Sequence, residues 1–259
     1  MADVRGTGPG RRGRGEGARP RDWSRRFEEA LAKDLFVLHA QRIVDVAGGE
    51  TFRHELFLRM ADEAGLVPAG EFVFAAEQLG SIREIDRWVV GRAIGVAAAG
   101  HPVDLNLSVR SADDELLELI RAGIQRTGVD PGGIVLELGE KQLAAQVEAG
   151  AGFVRGAHEL GCGIALDGFV RGGRGSVLLK ELPIDYVKLG ALFIRGLARD
   201  GRRRRKARNA AAKAHDNGQR VIAQGVEDLI TLQLMQDLGI DEAQGYALGR
   251  PEPVEALLN

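Results

Sequence analysis

Eight short apolar segments, most of them rich in Val, Ile and Leu, alternate with stretches of helical spacing between Phe36 and Leu248, and this alternation constrains the fold more than any other feature. They run Phe36 to Val44, Phe52 to Leu58, Val103 to Ser108, Gly133 to Leu138, Gly163 to Gly168, Ile184 to Gly190, Arg220 to Val226 and Glu242 to Leu248. Strands alternating with helices at this repeat imply right-handed crossovers around a parallel sheet, and eight strands are enough to close it. The first two segments are joined by a turn containing Gly48-Gly49, too short for a crossover helix, so they must run antiparallel. The expected fold is therefore α/β, a TIM-like (β/α)8 barrel with an antiparallel first strand. Helices are predicted around Gly70 to Gln78, Arg83 to Ala99 and Gln142 to Leu160, and through Leu116, Leu117 and Ile120 behind a capping-box-like start at Ser111 and Asp114.

At 259 residues the chain suits one large α/β domain, with 44% hydrophobic residues for a core and 28% charged residues for a soluble surface. No apolar run is long enough to cross a bilayer, so no membrane partner is expected. The N-terminal arginines and glycines have no apolar stretch behind them, which argues against a secretion signal and for a cytoplasmic location. The single cysteine, Cys162, lies beside Ile164-Ala165-Leu166 and reads as a small buried thiol. None of the five histidines has the i, i+4 partner of a histidine-based zinc site, so a metal here would use oxygen ligands.

The first 22 residues hold six glycines by position 17 and little to bury, and are expected as a disordered Arg/Gly-rich tail before a folded domain over 23–259. RNA or an anionic surface is the alternative role for that tail. A helical face begins with Trp23, Phe27, Ala30 and Leu31. Net charge is −2, so nucleic acid is suggested only by local basic runs. One such run, Arg202 to Lys206, is expected as a solvated or disordered loop, with a partner or nucleic-acid patch as the alternative; Asn209 to Ala214 behind it is expected to be helical.

In a barrel of this kind the chemistry gathers at the C-terminal mouth. The polar residues at those strand ends are Glu55, Asn106, Glu137, Asp167, Lys188, Gln224 and Gln244. A lone acid at a strand end is ordinarily a solvated loop residue or a helix cap. Four oxygen donors on successive strands, Glu55, Asn106, Glu137 and Asp167, instead point to a cage suited to Mg²⁺ or Mn²⁺.

From Trp23 to Asn259 the chain resembles the EAL-domain family, bacterial phosphodiesterases of cyclic di-GMP and their non-catalytic relatives. Gln41-Arg42-Ile43-Val44-Asp45 is similar to the family's QPIVD segment, and Glu55-Leu56-Phe57-Leu58-Arg59 stands in place of the EAL signature and its following Leu-Arg. Asn106-Leu107-Ser108 matches the NLS motif and Glu137-Leu138-Gly139-Glu140 resembles ExTE. Leu182 to Lys188 resembles LPVDxxK, and Gln244-Gly245-Tyr246 matches QGY. The resemblance implies a barrel with an inverted first strand. It also implies one metal held by Glu55, Asn106, Glu137 and Asp167, a catalytic place for Lys188, and ligand contacts from Gln41, Arg59, Glu140, Glu227 and Gln244.

Departures from the family pattern fall where hydrolysis is most demanding. The paired aspartates of DDFGTG appear as Asp167-Gly168, the AEGVE glutamate as Gln224, and the KID aspartate as Gly190. The resemblance implies a second metal needing acids at 168 and 224, and Gln224 cannot take a proton. Losing general-base assistance costs about 10²- to 10⁴-fold. The expectation is a degenerate EAL domain acting as a cyclic di-GMP receptor or as a signalling module with a protein partner or homodimer; a weak metal-dependent phosphodiesterase giving linear pGpG is the alternative. Gly172-Gly173-Arg174-Gly175 reads as a flexible loop, or alternatively as a phosphate cradle.

Overall fold

The computed structural model describes residues 20–169 and 175–258. Ten strands form one sheet: β1 (Phe36–Asp45), β2 (Thr51–Asp62), β3 (Gly65–Pro68), β4 (Val103–Leu107), β5 (Ile134–Gly139), β6 (Gly163–Asp167), β7 (Tyr186–Leu189), β8 (Arg220–Ala223), β9 (Glu242–Ala243) and β10 (Glu252–Pro253). The barrel closes because β1 pairs with β2 on one edge and β9 on the other, both antiparallel, while β2, β4, β5, β6, β7, β8 and β9 follow one another in parallel. The Gly48-Gly49 turn thus inverts the first strand as expected; Gly49 has φ +72°, which suits a residue without Cβ. The short strands β3, a hairpin return from β2, and β10, paired to β1, have no counterpart among the eight segments read from the sequence.

The helical shell is α1 (Pro20–Ala32), α2 (Ala69–Leu79), α3 (Ile82–Ala98), α4 (Asp114–Thr127), α5 (Glu140–Ala145), α6 (Val147–Glu159), α7 (Gly175–Glu181), α8 (Ala191–Ile194), α9 (Gly201–His215), α10 (Leu229–Asp237) and α11 (Glu255–Leu258). The first helix buries Phe27 and Ala30, and Trp23 stacks on Phe27 at 5.5 Å. Phe72 of α2 and Phe36 of β1 complete the cluster, and each such buried aromatic contributes on the order of 2–3 kcal/mol. Cys162 is buried, and burial pushes its thiol pKa up to about 12. No helix among the described residues is long and apolar enough to cross a membrane.

Several sequence expectations are corrected. The cap of α4 is Asp113, whose side chain accepts from Leu116 N–H, rather than Ser111. The stretch Gln142 to Leu160 breaks at Gln146, with φ −135°, into α5 and α6. The run Arg202 to Lys206 is solvated but is no loop: it forms the first turns of α9. The Asp200 side chain caps that helix by accepting from Arg202 and Arg203 N–H, and its charge offsets the crowding of cations at the positive end of the helix. Ala207, Ala210, Ala211 and Ala214 give the helix a buried face that the basic run lacks. The Arg/Gly-rich tail lies mostly outside the described residues, as do the first three residues of the glycine cluster over 172–175, whereas Gly175 is buried at the start of α7.

Candidate functional site

Side chains two apart on a strand share a face, and such pairs carry polar or charged groups on three strands of this barrel, Arg53 and Glu55, Asp104 and Asn106, Tyr186 and Lys188, and at the end of β9, where Gln244 follows the strand that holds Glu242. The lower members form a buried network. Arg53 lies 2.5 Å from Asp104 and 2.7 Å from Glu242, and its guanidinium sits 4.2 Å over the Tyr186 ring. Burial raises the Asp104 carboxyl above its ordinary range, with the opposing pull of Arg53 only partly restoring it. Sequence reading missed this layer, although the alternation of charged and apolar residues along these strands was the signal for it.

The upper members form the site. Lys188 is fully buried, its Nζ 2.6 Å from Glu55 Oε2 and hydrogen-bonded to Glu137 Oε1. Burial alone would lower the Lys188 pKa, but the carboxylates of Glu137 and Glu55 outweigh it and hold the ammonium well above the usual lysine range. Glu137 moves the other way: burial and the neighbouring Glu55 raise its pKa well above normal, against the pull of Lys188. Asn106 donates to Glu55 Oε1 at 2.7 Å. Asp167 is raised by burial, offset by Lys188 and by hydrogen bonds from Gly168 N–H and the Gln224 side chain.

The remaining predicted residues are distributed around this centre. Gln41 stands opposite Glu55 in the β1–β2 register, donates to Gly249 O at 2.6 Å and accepts from Gln244 at 3.1 Å. Arg59 lies four residues beyond Glu55 on β2, with a buried Nε that has no hydrogen-bond partner. Glu140 opens α5, and its carboxylate rests against Gly175, where a Cβ would meet Oε1 at 2.2 Å. Glu227 is on the exposed rim, paired with Arg195 at 2.7 Å. A cleft of about 360 Å³ connects Asn106, Glu140, Asp167 and Gly168 with Glu77 and Asp86. The last two were not singled out in the sequence: Asp86 accepts from Ser108 N–H at 3.0 Å and Glu77 from Ser108 Oγ at 2.7 Å, together bracing the end of β4.

By type, though not by their spacing, Glu55, Asn106, Glu137 and Asp167 are oxygen donors of the kind a hard cation takes. Glu137 Oε2 and Asp167 Oδ1 are buried oxygens without a hydrogen-bond partner, the kind of acceptor that Mg²⁺ or Mn²⁺ satisfies. As the side chains stand, no group of three or more acidic, His or Cys residues among the described residues is gathered tightly enough to hold a metal. The Lys188 ammonium supplies the balancing charge between Glu55 and Glu137. Two positions of the second-metal pattern offer nothing comparable: Gly168 has no side chain, and Gln224 presents a neutral amide.

The family model of the EAL domain matches residues 24–251, and the chain belongs to that family. Among its relatives, the cyclic di-GMP phosphodiesterase PdeB of Shewanella oneidensis is 29% identical over 242 residues, covering 90% of this chain and 28% of that protein. The bifunctional diguanylate cyclase/cyclic di-GMP phosphodiesterase MucR of Pseudomonas aeruginosa is 29% identical over 241 residues, covering 90% of this chain and 35% of that protein. The chain thus spans about a third of the length of these relatives. The MucR phosphodiesterase solved as a c-di-GMP complex superposes with a TM-score of 0.85 at 28% identity, over 92% of this chain and 100% of that one. The FimX EAL domain of Xanthomonas citri, solved with c-diGMP, gives a TM-score of 0.84 over 90% of this chain and 94% of that one; at 24% identity it speaks for the fold alone.

Proposed function

We propose that residues 23–259 form a degenerate EAL domain that receives cyclic di-GMP at the barrel mouth and does not hydrolyse it at an appreciable rate. The observation that carries this reading is at Asp167, whose polar neighbours from the two departing positions are the main-chain N–H of Gly168 and the amide of Gln224. Hydrolysis of a phosphodiester through two metals needs carboxylates there, one to help hold the second ion and one to take a proton. A main-chain N–H holds no cation, and a neutral amide takes no proton and is a weaker ligand than a carboxylate. Binding in the ground state makes no such demand. Arg59, with its unpartnered Nε, suits a bidentate contact to phosphate, and Gln41 with Gln244 supplies a preformed hydrogen-bonding edge.

One Mg²⁺ or Mn²⁺ held by Glu55, Asn106, Glu137 and Asp167 would neutralise phosphate charge at the mouth when bound. The two unpartnered oxygens of Glu137 and Asp167 favour that ion, and they keep a second reading in play, a weak cyclic di-GMP phosphodiesterase. In the receptor reading the ligand signals through a protein partner or a second copy, in the cytoplasm.

Titration of the purified chain with labelled cyclic di-GMP, with and without Mg²⁺, tests the proposal. Micromolar-or-tighter binding that Arg59→Ala weakens about tenfold or more supports it. Absence of binding at about 100 μM ligand overturns the receptor reading, and linear pGpG accumulating over many turnovers, abolished in Glu55→Ala, overturns the claim of silence.

A further inference from the structure

On the strands β1 and β2, Arg42 and His54 are direct partners in the register, on the face opposite to Gln41 and Glu55. The segment from Gly249 to Pro253 and the helix α11 border them, with Arg42 and Arg250 exposed and His54 half-buried, around an open pocket of about 270 Å³ lined by Arg42, His54, Arg250 and Glu252 with Ala40 and Leu257. Arg42 donates to Leu248 O through one terminal nitrogen, and Arg250 lies 4.5 Å over the Tyr246 ring. Among the described residues no carboxylate reaches ion-pair distance of either guanidinium, so Glu252, exposed at the rim, is the one acid in the lining. His54 Nδ1 is buried and has no hydrogen-bond partner.

Two guanidinium groups and an unanswered imidazole nitrogen around a pocket with ample room for a phosphate group favour an oxyanion there, because the planar fork of arginine matches phosphate oxygens in pairs. Arg42 also stands where the QPIVD pattern has proline, so this lining is a feature of this chain rather than of the motif. We propose that the pocket is an anion site, separate from the barrel mouth, that takes a phosphate group either as the free ion or on a phosphomonoester. A lone phosphate offers the two arginines a shared counter-ion; a phosphomonoester adds contact with Ala40 and Leu257.

The ¹⁵N-labelled full chain, titrated with inorganic phosphate and in parallel with glycerol phosphate, against chloride at matched ionic strength, reads this out. The expected result is saturable amide shifts confined to Gly249, Arg250, Glu252 and their neighbours, at about millimolar affinity. Arg42→Gln and Arg250→Gln should each weaken binding at least about tenfold, while Arg42→Lys, which keeps the charge and loses the fork, should weaken it severalfold with an unchanged melting temperature. Tighter binding of glycerol phosphate identifies a phosphomonoester, and equal binding identifies the free ion. Shifts that chloride reproduces, that fail to saturate, or that survive in both glutamine variants overturn the proposal.

Discussion

Lys188 Nζ lies 2.6 Å from Glu55 Oε2, and the same ammonium is hydrogen-bonded to Glu137, with all three side chains almost fully withdrawn from solvent. Buried charges of this kind are stable only as a set, since desolvation of a single unpaired carboxylate outweighs most packing contacts. Lys188→Met should therefore destabilise the barrel by about 3–5 kcal/mol, seen as a lower urea midpoint. Adding Glu137→Gln to that variant should recover a substantial part of the loss. A Lys188→Met protein as stable as the parent would show that the ammonium does not balance these acids.

The carboxyl of Asp86 has a different pH signature. Burial raises its pKa to about 7 from the ordinary 3.8, against hydrogen bonds from Ser111 and Ser108. A raised folded-state pKa means the native protein holds the proton more tightly than the unfolded chain, so this contribution is full below pH ~4 and is lost as pH climbs toward ~7. Stability should accordingly decline across that window and level off above it. Asp86→Asn should flatten the decline and be the more stable protein at pH 8, by an amount on the order of a few kcal/mol. Urea unfolding of both proteins at pH 4, 6 and 8 checks this, and parallel curves would refute it.

Restoring acids at the two departing positions tests the basis of the proposed silence. Gly168 has φ +72° with open space around its missing Cβ, so an aspartate fits sterically and costs about 1 kcal/mol for its left-handed backbone. Gly168→Asp combined with Gln224→Glu should raise Mg²⁺- or Mn²⁺-dependent release of linear pGpG at least about 10²-fold. No gain in that double variant would mean that Gly190 or the altered residues 170 and 171 limit the reaction instead.

The cap of α9 gives a prediction remote from the mouth. Asp200→Ala removes the acceptor for Arg202 and Arg203 N–H and an acid 3.4 Å from the Arg203 guanidinium. A loss of about 1 kcal/mol with reduced far-ultraviolet helicity is expected, recovered by Asp200→Ser in large part. If the helix is unaffected, the alanine face alone holds it.

How much of this was legible beforehand depended on whether the governing interaction was local. The hairpin at Gly48-Gly49 fixed the inverted strand because two residues settle chain direction, and the apolar segments located the eight barrel strands to within a few residues. Asp200, two residues ahead of the basic run, went unread as a cap, and so the first turns of α9 were mistaken for a loop. The pairing of Arg53 with Asp104 and Glu242 joins residues far apart in sequence, and charged residues inside a strand ordinarily face water. Glu55, Asn106, Glu137, Asp167 and Lys188 were placed together by motif, but only the structure put the ammonium of Lys188 between two of the acids.

The floor of the barrel is ionic as well as its mouth, so the two ends communicate without any moving part. Asp104 feels Lys188 and Glu55 across the interior, in a medium that screens far less than water. A neutralising change at the floor, such as Asp104→Asn, would thus retune the electrical potential that the proposed phosphate ligand meets at the rim, without touching any rim residue. Affinity for such a ligand would then be set from beneath the pocket.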